Sequence, residues 1–369
     1  MAQLILYDRF NTKGITRLIN VCFLMFLPLI LSQCSAAPPQ KDVIKIMSYN
    51  VLKYGDGCQG PTSQFHGYLK TIVSYTDPDV LGLVKVEAIP QRAGDKGKAP
   101  VGFADSILKS ALNAAFPGKY TYCPFTNKAR DNDQALLFYN KNKIGFVSMT
   151  TLVSDMTDIN MYKLYYLDLN LPKTHDTAFL YIVLVHTDSG DEPDDRNRQM
   201  DELMNAVRKQ FARLPNIIVM GDFNLRKAKE EGYQALTNNA EKNYRFLDPP
   251  FAIDKRASYP ANWEKHPEKF APFLTTSTRR KWKEPNDCGT GGGAKSWYDH
   301  ILLSPSLTNR LNFYHYIPRT YHTVGNDGNR IDISVNDMPN KSAPVEVLNA
   351  LYQMSNKYPV MLELGVSPG

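Results

Sequence analysis

The sequence predicts an α/β fold of the α+β kind, with two packed β-sheets flanked by helices. Three observations predict it. Short apolar runs with strand character outnumber helix-like segments, and the two patterns alternate along the whole chain. A 369-residue chain with 43% apolar residues has enough material for one large core or two modest ones. No repeat or shift in composition marks a second domain, so one domain from about residue 42 to 366 is the simplest organisation.

The first 36 residues read as an export signal. Arg9, Lys13 and Arg17 precede an apolar run from Val21 to Leu31, and small residues follow at Ser35, Ala36 and Ala37. A spanning helix needs about 20 apolar residues, and this run is shorter and broken by Pro28. Leu31-Ser32-Gln33-Cys34 resembles a lipoprotein box, although Gln33 stands where that box has a small residue. Lipid on Cys34 and ordinary cleavage after Ala36 or Ala37 are both open; either places the mature chain in the periplasm, on the cell surface or outside the cell. Lipid would hold it at a membrane without spanning it. The mature part keeps Cys58, Cys123 and Cys288. In an oxidising compartment one pair is expected, and Cys58 with Cys288 is favoured because both lie in Gly-rich loops; spacing alone does not fix the pairing.

Along the mature chain, Ile44 to Val51 reads as a strand and Tyr68 to Tyr75 as an amphipathic helix. Val80 to Val86 is a buried strand, and Ala104 to Ala115 has helical spacing. Ala135 to Tyr139, Lys163 to Asp168 and Phe179 to Val185 read as strands. A charged helix from Arg198 to Leu214 leads into the strand Asn216 to Met220, and further strands are Tyr298 to Leu303 and Tyr358 to Leu364. The stretch from 249 to 293, dense in Pro, Lys and Arg, reads as an elaborated surface loop.

Polar residues recur where these strands end: Asn50, His186, Asp222, Asn224 and Asp299. Each alone is ordinary turn chemistry, but a buried polar group is costly unless paired, so their recurrence on separate strands points to one shared site.

These residues sit in strings that resemble the endonuclease/exonuclease/phosphatase superfamily, which includes deoxyribonuclease I-like enzymes. The strings are Ser48-Tyr49-Asn50, the Asp-Pro-Asp-Val-Leu-Gly-Leu run at 77 to 83, His186 with Ser189-Gly190, Gly221-Asp222-Phe223-Asn224, Tyr298-Asp299-His300-Ile301-Leu302 and Tyr358-Pro359-Val360. The resemblance covers nearly the whole mature chain. It implies a four-layer sandwich of two central mixed β-sheets flanked by helices, with hydrolysis of phosphodiesters or phosphomonoesters by a divalent metal, magnesium or manganese. It gives Asp222 the attacking water, Asn224 and His186 the phosphate oxygens, and Asn50 a place at the metal. It makes Asp299 the partner of a catalytic histidine.

The sequence departs from that pattern at the centre. The position of the metal-binding glutamate is Lys85, and the final Ser-Asp-His-Tyr-Pro motif reads Ser355-Asn356-Lys357-Tyr358-Pro359. With an effective dielectric near 20, a lysine about 4 Å from a divalent ion opposes it by roughly 8 kcal/mol. Glu87, two residues beyond Lys85, is the alternative metal ligand, although it reads more simply as a strand-end surface carboxylate. Lys357 is expected to pair with Asp299, and both lysines are expected to satisfy Asp222 and Asp299 in place of a cation.

Two readings of function follow. One is a phosphoesterase with a weakened or relocated metal site; the other is a non-catalytic exported protein that binds phosphate-bearing ligands or nucleic acid. Lys85, Asn356 and Lys357 are the candidate ligand-binding residues in either case. The basic run Thr278-Arg279-Arg280-Lys281-Trp282-Lys283 mixes cations with an aromatic as nucleic-acid surfaces do, and a solvated loop has the same composition. The net charge of +6 is too small to require a polyanionic partner. The chain is read as a monomer.

Overall fold

In a computed structural model, residues 42–55, 58–87, 101–129, 133–155, 157–168, 177–258, 263, 265–281 and 288–367 are described. The expected export segment with Cys34 lies outside them, as do Trp282 and Lys283. The described residues build two β-sheets that stand face to face.

One sheet has seven strands: β1 (Asp42–Tyr54), β2 (Val80–Glu87), β3 (Tyr120–Tyr122), β4 (Asp133–Asn140), β10 (Tyr314–Tyr316), β11 (His322–Thr323) and β12 (Val360–Val366). Its order is β10-β12-β1-β2-β4-β3, with β11 also on β12. The other has five strands in order: β5 (Ile144–Ser154), β6 (Asp158–Tyr166), β7 (Phe179–His186), β8 (Ile217–Asp222) and β9 (Asp299–Leu303). Both sheets are mixed, since β1 runs parallel to β2 and β7 parallel to β8 while their other neighbours are antiparallel.

The central strands are covered on both faces, so they read as near-continuous apolar runs rather than alternating ones. Every residue of β8 is buried. At Gly82 in β2 the sheets come close: a Cβ there would lie 2.5 Å from Leu184 Cδ1 and 2.8 Å from Met220 Cε.

Helices form the outer layers. On one side α1 (Thr62–Thr76) packs on a late helix, Val345–Met354; α2 (Val101–Ile107) runs through a π-turn, Leu108–Leu112, that lies on α1. On the other side α3 (Asp194–Gln210) packs on α4 (Glu231–Thr237) and on β5, and the late helix becomes α5 in chain order. Helix α3 begins with Asp194 and Asp195 and ends with Arg208 and Lys209, a charge order that complements the helix dipole. Helix α1 stops at Asp77, whose left-handed backbone (φ 47°) closes the last turn through its N–H on Val73 O.

The segment from 249 to 293 differs from the expected surface loop. Its described part carries buried Phe251, Trp263, Phe270 and Phe273, which pack around Trp297, itself stacked on His300 of β9. Aromatic anchors spaced along an irregular chain have no period, so composition alone reads them as loop. Arg279, taken as part of a basic surface, is fully buried and ties α5 to the loop after β1 through Tyr352 O (2.9 Å) and Gln59 Oε1 (2.7 Å).

Candidate active-site cleft

Strand register brings the predicted residues to one end of both sheets. In the five-stranded sheet His186 is paired with Asp222, and Asp222 with Asp299, so three adjacent strands carry three titratable groups side by side. From the facing sheet, Asn50 of β1 and Lys357, just before β12, reach across the gap to Asp222.

The turn after β8 fixes Asp222. Gly221 has φ 146°, and a Cβ there would lie 1.8 Å from Val185 O, so only glycine lets β8 lie this close to β7. Asn224 takes a left-handed backbone (φ 48°) and donates its N–H to Asp222 Oδ1 at 2.9 Å, while its side chain donates to Thr187 O at 2.9 Å. Asp222 Oδ2 accepts from Asn50 Nδ2 at 2.7 Å and lies 3.0 Å from Lys357 Nζ. Burial is the largest influence and acts to raise the Asp222 pKa, but Lys357, His186 and the Asn224 N–H together outweigh it and the carboxyl sits at about 2, fully ionised.

Lys357 therefore pairs with Asp222, not with Asp299 as the sequence led us to expect. It is 6% exposed, and its ammonium also lies over the Tyr298 ring, 4.3 Å from the centroid. Burial is the largest influence and works against the ammonium, yet Asp222, with Asp299 and Tyr298 behind it, more than restores it and holds its pKa above that of an ordinary lysine. Ser355 ties β1 to the segment before β12, donating to Asn50 O at 2.8 Å and accepting from Lys357 N at 3.1 Å. Buried Asn356 donates to Thr290 Oγ1 at 2.7 Å, and its Oδ1 has no partner among the described residues.

Asp299 is fully buried, and neither carboxyl oxygen has a hydrogen-bond partner among the described residues. Burial first, and then the charge of Asp222, push its carboxyl well above the usual carboxylate range. His186 is 7% exposed with neither ring nitrogen partnered among the described residues. Burial, with Lys85 and Lys357 nearby, pulls its pKa down to about 4 against the charge of Asp222, so the ring is neutral.

Lys85 differs from Lys357. It sits at a bulge where β2 loses register with β4, with φ 58°, and is partly exposed. Among the described residues it makes no hydrogen bond or ion pair, so the expected contact with a cleft carboxylate is not formed. Burial is the main cause of its lowered pKa, with Lys357 and Lys53 adding to it against Asp133 and Asp222. Glu87 lies in register with Asp133 at the partly exposed end of β2.

The resemblance implies a divalent metal, and the donor set tests it. Asp222 is already engaged by Asn50, Asn224 and Lys357, while Asn50 Oδ1 accepts from Leu52 N at 2.9 Å. Among the described residues no group of three or more His, Cys, Asp and Glu side chains is arranged to hold a metal, Glu87 included. A divalent ion entering here would meet the Lys357 ammonium already seated on Asp222. The residues do not fit a divalent cation.

The chain also holds the cleft by means that sequence reading passed over. The Arg196–Glu230 pair is buried, with Nε 2.7 Å from Oε2; Arg196 also donates to Gly190 O (2.7 Å) and Glu230 accepts from Arg226 N (2.8 Å). It thereby locks the loop after His186 to the loop after Asn224. Thr187 donates to Phe223 O at 2.6 Å across the same gap. Cys58 and Cys288 form a disulfide with Cα atoms 5.8 Å apart, which ties the loop after β1 to the segment carrying Thr290. Cys123 is free and buried.

Two interleaved sheets with Asn50, His186, Asp222, Asn224 and Asp299 at one end define the deoxyribonuclease I-like class of fold. The chain belongs to the Endonuclease/Exonuclease/phosphatase family, whose family model matches residues 47–322. Among solved structures it is similar to D. rerio TDP2 in complex with a single-strand DNA product, at 15% identity and TM-score 0.52, covering 88% of this chain and 100% of that one. Truncated Caenorhabditis elegans TDP2 is similar at 15% identity and TM-score 0.51, with 89% and 99% covered. The human Nocturnin catalytic domain is similar at 14% identity and TM-score 0.50, with 88% and 95% covered. At these identities the likeness is one of fold. No curated protein matches the sequence.

Proposed function

We propose that this chain is an exported family member whose cleft binds a phosphate-bearing ligand without metal-dependent turnover. The observation that carries this reading is the Lys357 ammonium, buried and 3.0 Å from Asp222 Oδ2, on the carboxylate that the family resemblance gives to the attacking water. A carboxylate held at about 2 is a poor base for activating water at pH 7. Lys85, the neutral His186 ring and Asn356 remain to meet the oxygens of a ligand.

The test is calorimetric titration with inorganic phosphate, a phosphomonoester, a phosphodiester and short single-stranded DNA, each with magnesium, with manganese and with chelator. A parallel screen follows product release. Chelator-resistant binding without product is the expected result. Chelator-sensitive turnover that disappears in Asp222→Ala would sink the reading and establish the second one, a phosphoesterase with a weakened or relocated metal. That second reading draws on the intact turn at Gly221–Asn224, where Asp222 is ionised and oriented.

Export forms part of the proposal, and the Cys58–Cys288 disulfide supports it because such bonds persist in oxidising compartments. Fractionation should recover a mature chain beginning at Cys34, or just after Ala36 or Ala37, outside the cytoplasm. Lipid on Cys34 would make extraction detergent-dependent and Cys34→Ser soluble; a full-length cytoplasmic chain would end this part of the reading.

A further inference from the structure

The two lysines of the cleft lie in unlike surroundings. Lys357 is buried, bonded to Asp222 and covered by Tyr298, whereas Lys85 is partly exposed on a left-handed bulge with no partner among the described residues. In a metal-dependent phosphate site one divalent ion performs two tasks: it neutralises buried carboxylate and it draws the ligand's oxyanion. We propose that the two lysines divide those tasks here, Lys357 acting as a resident cation that neutralises Asp222 and Lys85 as the cation presented to the oxyanion. The Lys85 part rests on the phosphate-binding reading above; the Lys357 part does not.

The charge count follows from contacts. Asp222 spends its charge on Lys357, and Asn50 and Asn224 fill its remaining acceptor positions. Of the two cleft lysines, Lys85 is the one that makes no ion pair among the described residues, although Asp133 and Asp222 act on its charge. The cleft atoms that lack partners among the described residues, the His186 ring nitrogens and Asn356 Oδ1, are of the kind an oxyanion and its protonated oxygens engage. A tethered ammonium cannot be removed by a chelator. The site therefore keeps its electrostatics at any divalent ion concentration, and a divalent ion enters only when Lys357 is shortened.

Thermal unfolding and calorimetry test the two assignments separately. Wild-type protein should show no calorimetric binding of magnesium or manganese and no shift of Tm with either ion or with chelator. Lys357→Ala should unfold at lower temperature and regain stability on addition of a divalent ion or methylammonium, while Asp222→Asn with Lys357→Ala should respond to neither. Saturable binding of magnesium to the wild type, or Lys357→Ala unresponsive to every cation, would overturn the Lys357 assignment. The wild-type titration decides even if Lys357→Ala does not fold.

For Lys85, inorganic phosphate is the probe. Lys85→Met should keep the wild-type Tm and raise Kd for phosphate about tenfold or more, the loss of one charge-assisted contact. Equal phosphate binding by Lys85→Met and wild type would overturn the Lys85 assignment alone. Wild type that binds no phosphate would overturn that assignment together with the phosphate-binding reading, while the cation titrations still decide Lys357.

Discussion

Lys357 Nζ lies 3.0 Å from Asp222 Oδ2, and this contact bridges the two sheets at the end where the family resemblance expects a metal. Both side chains are nearly inaccessible, at 8% and 1% exposure, so neither charge has water as an alternative partner.

Breaking that pair should therefore cost more than deleting it. Lys357→Met leaves Asp222 charged and buried and should destabilise by about 3–5 kcal/mol. Asp222→Asn with Lys357→Met removes both charges and should cost clearly less than the sum of the single changes. Urea unfolding of the four proteins measures the coupling; additive single changes would mean the contact carries no net energy.

His186 should make stability depend on pH. Its pKa stands at about 4 in the fold against an ordinary 6.5, so between these values the unfolded chain binds more protons. The groups that act on it are Asp222, which favours protonation, and Lys85 and Lys357, which oppose it. Its contribution is full above pH 6.5 and is lost as pH falls toward 4, a change of about 3 kcal/mol. His186→Asn should flatten the stability curve over that window; an unchanged slope in denaturant titrations would refute this.

The disulfide closes a loop across a sequence separation of 230 residues, which corresponds to about 5 kcal/mol on the chain-entropy scale. Cys58→Ser with Cys288→Ser should lower the urea midpoint accordingly. It should also raise hydrogen exchange at Thr290 and Asn356, whose segment the bond holds near the cleft. Exchange unchanged there would show that packing alone fixes that segment.

Gly221 and Gly118 offer a matched comparison of left-handed glycines. Alanine at 221 meets Val185 O at 1.8 Å and should cost at least about 4 kcal/mol. Alanine at 118, where φ is 74° and nothing lies within 4 Å of a built Cβ, should cost only about 1 kcal/mol. Similar Tm losses at both sites would rule out the close approach of β7 and β8 as the reason for glycine in the turn.

Much of this architecture was legible because buried central strands announce themselves. The runs that became β2, β7 and β8 were placed within two residues, since double-sided burial leaves little but apolar side chains. The edge strand β5 was missed: with Ser148, Thr150 and Thr151 in its middle and many half-exposed residues, it shows neither an apolar run nor clean alternation. Helix α5 was also missed. Its apolar face lies in a short stretch beside the last motif, where the reading was occupied by Ser355 to Lys357.

In the site, motif order was enough to gather Asn50, His186, Asp222, Asn224 and Asp299: His186 and Asp222 end β7 and β8, Asn224 lies in the turn that follows, Asp299 opens β9, and Asn50 lies within β1. Pairing within the site was not legible. Whether Lys357 meets Asp222 or Asp299 depends on where a long flexible side chain comes to rest between two carboxylates on adjacent strands. Sequence order carries no information about that choice. The Arg196–Glu230 clamp was hidden for a related reason: in a charged helix, a buried arginine reads like its solvated neighbours.

If the chain is exported as proposed, the position of Cys123 between Cys58 and Cys288 sets an order of events for oxidation. A chain that enters an oxidising compartment from its N-terminus presents Cys58 and Cys123 together while Cys288 is still to come, so the first pairing on offer is the wrong one. What withdraws Cys123 is burial against β4, where its N–H bonds Leu137 O at 2.8 Å and its thiol is sealed from solvent. Pairing of β3 with β4, both N-terminal to Cys288, would thus keep Cys58 available until its distant partner arrives. Mass mapping of early oxidation products should find the Cys58–Cys123 isomer in chains whose first sheet is weakened, and a weakened sheet that still yields only Cys58–Cys288 would remove that role.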